Sequence, residues 1–410
     1  MAAEKQAAED LQGSRSVVAL AMTCLCLVLS LATWFSATAV LPQLRAEWNL
    51  SDTSAAWLTI AVQMGFVLGA VGSATLGLAD RVAPNRLMAV CATGAAIANA
   101  GLLLATDAPS AIGCRIATGV FLAGVYPPAL KLLSTWFRRG RGCARHCHRS
   151  ADHRLGIAAS HRRLLDLGWR DAVLATTVAT LIGAATAAAV LRNGPFPFPR
   201  TPFDLRDLHA VLANRPFRLA TGGYLGHMWE LYAMWAWLLV LVRLRLDVTD
   251  GGASGAALMT FAIIAAGAPA CVLSGYLADR LGRPAVTIGA LAISGACAAL
   301  ISFTFDGPLW LFATVGALWG ASVIADSAQF SAMVTERCDL RLVGTALTIQ
   351  LGCGFALTGL SIWLLPLAAE WLGSWRWVPL LLVPGPVLGI LSIAALRSPV
   401  APAQAVSPTG

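Results

Sequence analysis

Long apolar runs alternate along this chain with short polar connections. Eleven runs reach the ~20 residues that a helix needs to cross the hydrocarbon core of a bilayer. They fall at roughly 17–41, 55–78, 87–106, 109–131, 172–191, 217–241, 254–277, 285–304, 308–333, 342–367 and 376–396. The pattern predicts an all-α polytopic membrane protein whose outer surface faces lipid. One interval breaks the rhythm. Residues 138–169, between the fourth and fifth runs, are crowded with arginine and histidine in a chain otherwise poor in charge.

Composition supports the same class. Only 12% of the 410 residues are charged and 57% are hydrophobic, whereas a soluble domain carries about 25% charged residues. The net charge of +8 comes almost wholly from arginine, since Lys5 and Lys131 are the only lysines among 29 basic residues. The arginines cluster in connections, which points to membrane topology rather than to nucleic acid. Seven of the ten cysteines (Cys24, Cys26, Cys91, Cys114, Cys271, Cys297 and Cys353) lie inside apolar runs as small hydrophobes, not as a disulfide framework. Met1 to Ser16 is polar, with Glu4, Glu9 and Asp10, and reads as a tail rather than a cleavable signal.

Arginine-rich connections (Arg81 and Arg86; Arg138, Arg139 and Arg141; Arg192 to Arg218; Arg280 and Arg283; Arg337 and Arg341; Arg397) alternate with lean or acidic ones. The positive-inside rule puts the rich set in the cytoplasm together with both termini. With eleven crossings the second half of the chain would invert, so parity requires a twelfth between Arg141 and Trp169. Repeats agree with two halves. Leu78-Ala79-Asp80-Arg81 recurs as Leu277-Ala278-Asp279-Arg280, and Trp169-Arg170 recurs as Trp375-Arg376. The division is a tail (1–16), a first six-helix bundle (17–191), a linker (192–216), a second six-helix bundle (217–396) and a tail (397–410). The linker holds five prolines and reads as extended. Two similar six-span halves form the architecture of a rocking secondary transporter.

Gly275, Asp279, Arg280, Gly282 and Arg283 form a G-x-x-x-D-R-x-G-R pattern that resembles the signature of the major facilitator superfamily. The first-half copy keeps Asp80, Arg81 and Arg86 but has Leu76 and Ala83 in place of the glycines. The resemblance implies a conformational latch: close packing at the glycine, and arginines that tie the halves to carboxylates or lipid phosphates in one access state. Arg115 with Gly119 resembles the fourth-helix R-x-x-x-G pattern of that family, which implies a cavity position attracting an anion or tuning a nearby carboxylate. Snorkelling of Arg115 to the interface is the plainer alternative.

The sixth apolar run carries the most chemistry. His227 and Glu230 are three residues apart, hence on one helical face. Glu230 sits in mid-span, where ionisation is costly, so it is a candidate proton carrier as well as a candidate packed acid. Tyr232 and Trp235 could wall a substrate or belong to an interfacial belt. Asp326 and Gln329 make a second polar patch, and Gln63 and Gln350 are further cavity candidates. No G-x-x-x-x-G-K-[ST] segment exists, so the chain has no site for ATP-driven transport.

The slot at about 143–166 is read in two ways. Cys143, Cys147, His148 and His153 supply metal-ligand types, but their spacing matches no ordinary zinc site and five arginines would repel a cation. Read one base forward in GC-rich codons, residues 145–154 become a run of glycine, isoleucine, valine, alanine, leucine and threonine, so a frameshift over a genuine fifth helix fits better. The expectation is a non-enzymatic, proton-coupled secondary transporter of the inner membrane, moving a small organic or inorganic anion by alternating access. It would work as a monomer with a small-molecule substrate, protons and the lipid bilayer as partners, without cofactor, metal or nucleic acid. Alternatives are a drug or metabolite exporter of the same fold, a membrane enzyme built on the slot histidines, and a non-functional frameshifted product.

Overall fold

The computed structural model of the protein describes residues 2–136, 168–196, 205–247, 252–339 and 342–397. The first half contains α1 (Ala2–Ala39), α2 (Leu41–Trp48), α3 (Asp52–Thr75), α4 (Leu78–Arg81), α5 (Pro84–Ala100), α6 (Ala108–Leu122), α7 (Tyr126–Ser134) and α8 (Trp169–Ala189). After α9 (Leu208–Ala213), the second half contains α10 (Arg215–Asp247), α11 (Gly252–Ala265), α12 (Gly267–Leu281) and α13 (Arg283–Ile301). It continues with α14 (Leu309–Ala325), α15 (Ser327–Arg337), α16 (Val343–Leu372), a 3₁₀ stretch (Trp375–Leu382) and α17 (Pro384–Arg397). Eleven helical stretches among the described residues are long and apolar enough to cross a membrane, as the apolar runs predict.

Local chemistry sets the helix ends. The Ser51 hydroxyl accepts the Ser54 N–H at the start of α3 (3.2 Å). At the start of α6 the Asp107 carboxylate accepts from the Ser110 N–H at 2.9 Å. The Ser110 hydroxyl, and after it that N–H, hold the Asp107 carboxyl below the usual carboxylate range. Three crossings are broken: α6–α7 ahead of Pro127 and Pro128, α11–α12 at Ala266, and α14–α15 at Asp326. The linker is less extended than its prolines predict. A 3₁₀ turn at Leu205–Asp207 leads into α9, where burial of Val211 makes a helical turn worthwhile.

The halves repeat one packing scheme. In the first, α8 lies against α1 and α5, and α6 against α3 and α5; in the second, α17 lies against α10 and α13, and α14 against α11–α12 and α13. Glycines allow the tightest approaches. A Cβ on Gly65 would fall on the Ile116 carbonyl, one on Gly119 on the Val62 carbonyl, and one on Gly320 on the Ile263 carbonyl. The halves meet mainly along α3 and α16, where Gly359 receives Ile60 and Met64.

One position in the repeat falls on residues 137–167, outside the described residues. Trp136 donates to the Arg192 carbonyl (2.9 Å), just beyond the carboxyl end of α8. Trp169 starts α8 at the other end, packed on Trp48. The 21 residues of α8 rise about 31 Å, so Trp136 and Gly168 stand near opposite ends of that helix. In the second half α16 covers α10 and also the first-half α3. Their counterparts, α1 and α11–α12, are the barest crossings, 28% and 17% buried against 61% for α10 and 67% for α3.

The glycine contacts yield a paired test. Gly119→Val or Gly320→Val should destabilise purified protein by about 1–3 kcal/mol or more, as overpacking against fixed backbone does. Gly275→Ala, where a Cβ meets nothing within 4 Å, should leave the melting temperature unchanged or slightly raised.

Candidate functional site

Helix α10 carries the most unusual buried group. Glu230 is 1% exposed, and its Oε1 accepts from Ser294 Oγ of α13 and from Trp319 Nε1 of α14, both at 2.6 Å. One turn away, His227 Nδ1 lies 2.9 Å from Asp326 Oδ1, with both side chains 1% exposed. Neither Asp326 oxygen nor His227 Nε2 has a hydrogen-bond partner among the described residues. The two side chains therefore meet without a well-directed hydrogen bond between them. Tyr224 and Phe330 stack around His227, with ring centroids 6.2 and 5.3 Å away.

Asp326 stands at the break between α14 and α15, where helical carbonyls lose their own donors. Cys271 Sγ of α12 donates to the Ile324 carbonyl at 3.6 Å, and Ser274 Oγ donates to that of Ala325. The carboxylate thus sits on a joint between two half-helices, its backbone satisfied and its side chain not. Gln350 is also fully buried, and neither end of its amide has a partner among the described residues. Gln63 is different: in the amide orientation that suits its neighbours it turns back onto the Thr59 and Ile60 carbonyls of its own helix.

An aromatic cluster closes the space between the halves. Trp34 and Phe66 of the first half pack on Phe355 and Tyr232 of the second, with centroid distances from 4.4 to 5.8 Å. Trp235 joins it through Tyr232 (5.5 Å) and Phe35 (5.6 Å). Tyr232 and Trp235 therefore line the interface between the halves, not a membrane-surface belt.

Arg115 is fully buried, so it does not snorkel. Its guanidinium donates to the carbonyls of Thr33 (2.7 Å), Trp34 and Leu58 (3.3 Å) and to Ser36 Oγ (3.2 Å). Ser36 in turn donates to Asn99 Oδ1 (2.6 Å), and Asn99 Nδ2 donates to the Val173 carbonyl (3.2 Å) and Thr177 Oγ1 (3.0 Å). The network ties α1, α3, α5, α6 and α8 together. All its acceptors are neutral first-half groups, and no carboxylate is among them.

The motif residues occupy the end of the bundle that bears the linker. Gly282 has φ +84°, a left-handed turn that favours glycine; Ala83 at the matching first-half place is extended and needs none. Gly275 faces open space, so close packing is not what it supplies. Arg283 Nε donates to Glu336 Oε1 and Nη1 to Gln329 Oε1, both at 2.7 Å. Gln329 is thereby drawn into this clasp instead of the central patch. Arg280 covers the Tyr276 ring at 4.2 Å, while Asp279, Arg81 and Arg86 are exposed and the Asp80 side chain lies outside the described residues. The clasp joins α13 to α15 within one half. The slot cysteines and histidines also lie outside the described residues.

Ser294, Trp319 and Asn99 escaped the sequence reading because isolated polar or aromatic residues in apolar runs carry no spacing signal. The profile of the Major Facilitator Superfamily matches residues 23–145 and 156–361, interrupted within the charged slot. No curated protein matches the chain. Among solved structures, a bacterial homolog of the human lysosomal transporter Spinster, inward-facing and unoccupied, superposes with TM-score 0.64 at 14% identity, covering 94% of this chain and 97% of that one. The E. coli fucose:proton symporter gives 0.63 at 12% identity, covering 92% and 99%. A D-xylose-proton symporter gives 0.63 at 14%, covering 93% and 97%.

The Arg115 geometry makes a bracing role testable. Arg115→Met removes charge-assisted bonds worth about 1.5–3 kcal/mol each, so thermal unfolding should shift down sharply. Protein that survives should bind its solute with unchanged affinity; lost affinity at unchanged stability would return Arg115 to the solute path.

Proposed function

The chain belongs to the major facilitator superfamily, and on that premise we propose that it is a proton-coupled secondary transporter that moves a small solute by alternating access. The observation that carries this reading is the buried acid pair of the second half. Glu230, held by Ser294 and Trp319, lies one helical turn from His227, which in turn meets Asp326. An ionised carboxylate there has a stable form only while those donors stay in place. A protonated one can move through a dry, apolar region at much lower cost. Loading Glu230 with a proton therefore permits a displacement of α10 against α13 and α14 that the charged form resists.

The His227–Asp326 contact adds the mechanical link. It joins α10 to the joint between α14 and α15, so a change in proton content alters the attraction across a hinge. Arg283, Gln329 and Glu336 clasp α13 to α15 at the linker end, and we assign them, with Arg280 and Asp279, to holding that end in one access state. The arginine-rich connections favour placing the linker end and both termini in the cytoplasm, with the chain in the inner membrane. The fucose and xylose symporters move sugars with protons, which favours proton coupling. We assign a small organic or inorganic anion as the solute; a drug or metabolite exporter of the same fold is the alternative, separated by the direction of transport in oriented vesicles.

A second reading has its own support. The bare α1 and α11–α12, with Trp136 and Gly168 near opposite ends of α8, favour an apolar fifth crossing. Each central arginine would cost about 2.5–3.5 kcal/mol on insertion. A non-functional frameshifted product is therefore the second reading of the chain as written. Replacing residues 143–166 by the apolar shifted-frame sequence should raise the yield of folded protein and restore transport. Full transport by the unaltered chain would end this reading.

In proteoliposomes, an imposed proton gradient should drive uptake of one member of a panel of small carboxylates and phosphate. Glu230→Gln, of fixed charge, should abolish gradient-driven accumulation yet retain solute exchange. Asp326→Asn should lower accumulation by about tenfold, a typical coupling between two sites. Undiminished accumulation in Glu230→Gln would remove the carboxyl from the proton path.

A further inference from the structure

The two broken crossings of the second half are fastened to each other. Gly267, Cys271 and Ser274 are spaced i, i+4 and i+7 along α12 and so share one face. All three meet the last residues of α14. A Cβ on Gly267 would fall on Ile324 Cγ2, close to the Gly320 carbonyl. Cys271 Sγ donates to the Ile324 carbonyl at 3.6 Å, and Ser274 Oγ, on a side chain 4% exposed, donates to the Ala325 carbonyl. Those carbonyls stand immediately before Asp326, where α14 stops and α15 begins. The joint at Ala266 therefore opens onto a helix that binds the joint at Asp326.

The first half is built differently. Its break, between α6 and α7, comes ahead of Pro127 and Pro128, and the helix packed on α6, α3, runs unbroken from Asp52 to Thr75. There Gly65 and Gly69 of α3 lie against the Ile116 and Val120 carbonyls, a contact of backbones. A helix breaks sharply at proline, or where a neighbour's side chain intrudes on its hydrogen-bond ladder. The first break carries its own cause. The second has no proline, and the carbonyls it frees would be costly in a bilayer without the α12 donors. The far end of α12 returns to the same crossing: past the left-handed Gly282, Arg283 binds Gln329 and Glu336 of α15.

We propose that Ser274 and Cys271 are positioning residues for Asp326: they hold open the joint that carries its carboxylate and make α12 turn with that joint. Its use in transport rests on the reading of Asp326 as part of the proton path; the linkage itself does not. His227 Nδ1 of α10 lies 2.9 Å from Asp326 Oδ1, so a change at that contact changes what holds the joint from the side of α10. The α12 donors are bound to the carbonyls on the opposite flank of the same residue. A shift of the joint therefore moves α12 as a lever, and its far end bears Asp279, Arg280 and the turn into Arg283. The acid in mid-span thereby acts on the clasp at the linker end through one helix, fastened at both ends to the crossing that bends.

Amide hydrogen exchange of the full-length protein in neutral detergent reads opening at residues 276–281, the last turns of α12. Asp326→Asn keeps the shape of the side chain and removes its charge. It should change exchange there by about fivefold or more, the lower end of a coupling between two sites. With Ser274→Ala and Cys271→Ala both present, the same change at Asp326 should move exchange by less than about twofold, the signature of a coupled pair in a double-mutant cycle. Ser274→Thr in the Cys271→Ala background keeps the hydroxyl and should restore the response. Should the doubly substituted protein fail to fold, Ser274→Ala and Cys271→Ala are compared singly, and at least one must diminish the response. An undiminished response to Asp326→Asn without the two donors overturns the proposal, since they would then only add stability. So does the absence of any response in the otherwise unaltered chain. The expected pattern in a protein without proton-driven accumulation keeps the linkage and refutes the proton reading. Proton-driven accumulation with exchange indifferent to Ser274 and Cys271 refutes the linkage alone.

Discussion

Inside a membrane no water is at hand to satisfy a polar group, so each one must find its partner within the protein. That constraint explains both halves of this molecule. In the first it is met almost completely: Arg115 spends its donors on three carbonyls and a hydroxyl, and Asn99 uses both ends of its amide on Ser36 and α8. In the second it is met only in part. Asp326, His227 Nε2 and Gln350 are buried with unused bonding capacity. Unused capacity in such a place is either a defect or a place to put something, and a proton or a solute is what a transporter has to put there.

The two halves therefore share a packing scheme but differ in how far their buried polar groups are satisfied. Glycine contacts between α3 and α6 and between α11 and α14 are equivalent, and they set backbones closer than side chains would allow. On this common frame the first half is braced by a saturated network that has nothing to exchange. The second has its acid on α10, its joints at Ala266 and Asp326, and its clasp at Arg283. Movement between such halves needs one firm partner and one that changes its bonds, and the distribution of satisfied groups follows that division.

Much of this was legible in the chain itself. The apolar runs marked all eleven described crossings, and the paired Leu-Ala-Asp-Arg segments marked the repeat. The burial of Glu230, His227 and Asp326 follows from their place within apolar runs. Their partners were not legible, because Ser294 and Trp319 reach Glu230 from 64 and 89 residues away and no local pattern encodes a contact at that range. Arg115 and Gln329 show the reverse failure. A polar residue in mid-span announces that it is paired, but not with what, and these two are paired with carbonyls and with Arg283. The break at Asp326 was hidden as well: no proline lies at it, and the capping of its carbonyls by Cys271 and Ser274 is tertiary.

The uncovered faces of α1 and α11–α12 are apolar, with Val18, Leu25, Val28, Phe261, Val272 and Leu273 exposed. In water such faces would collapse onto any neighbour; in lipid they are solvated nearly as well by acyl chains as by another helix. Each half can therefore keep its own packing without a fifth crossing. One seam, α3 against α16, is continuous, and its symmetric mate would run between α11–α12 and the first-half counterpart of α16. Two bodies joined along one edge swing open like a book about that edge, and no state is closed at both edges. Two bodies joined along two symmetric seams can only tilt, closing one end as the other opens.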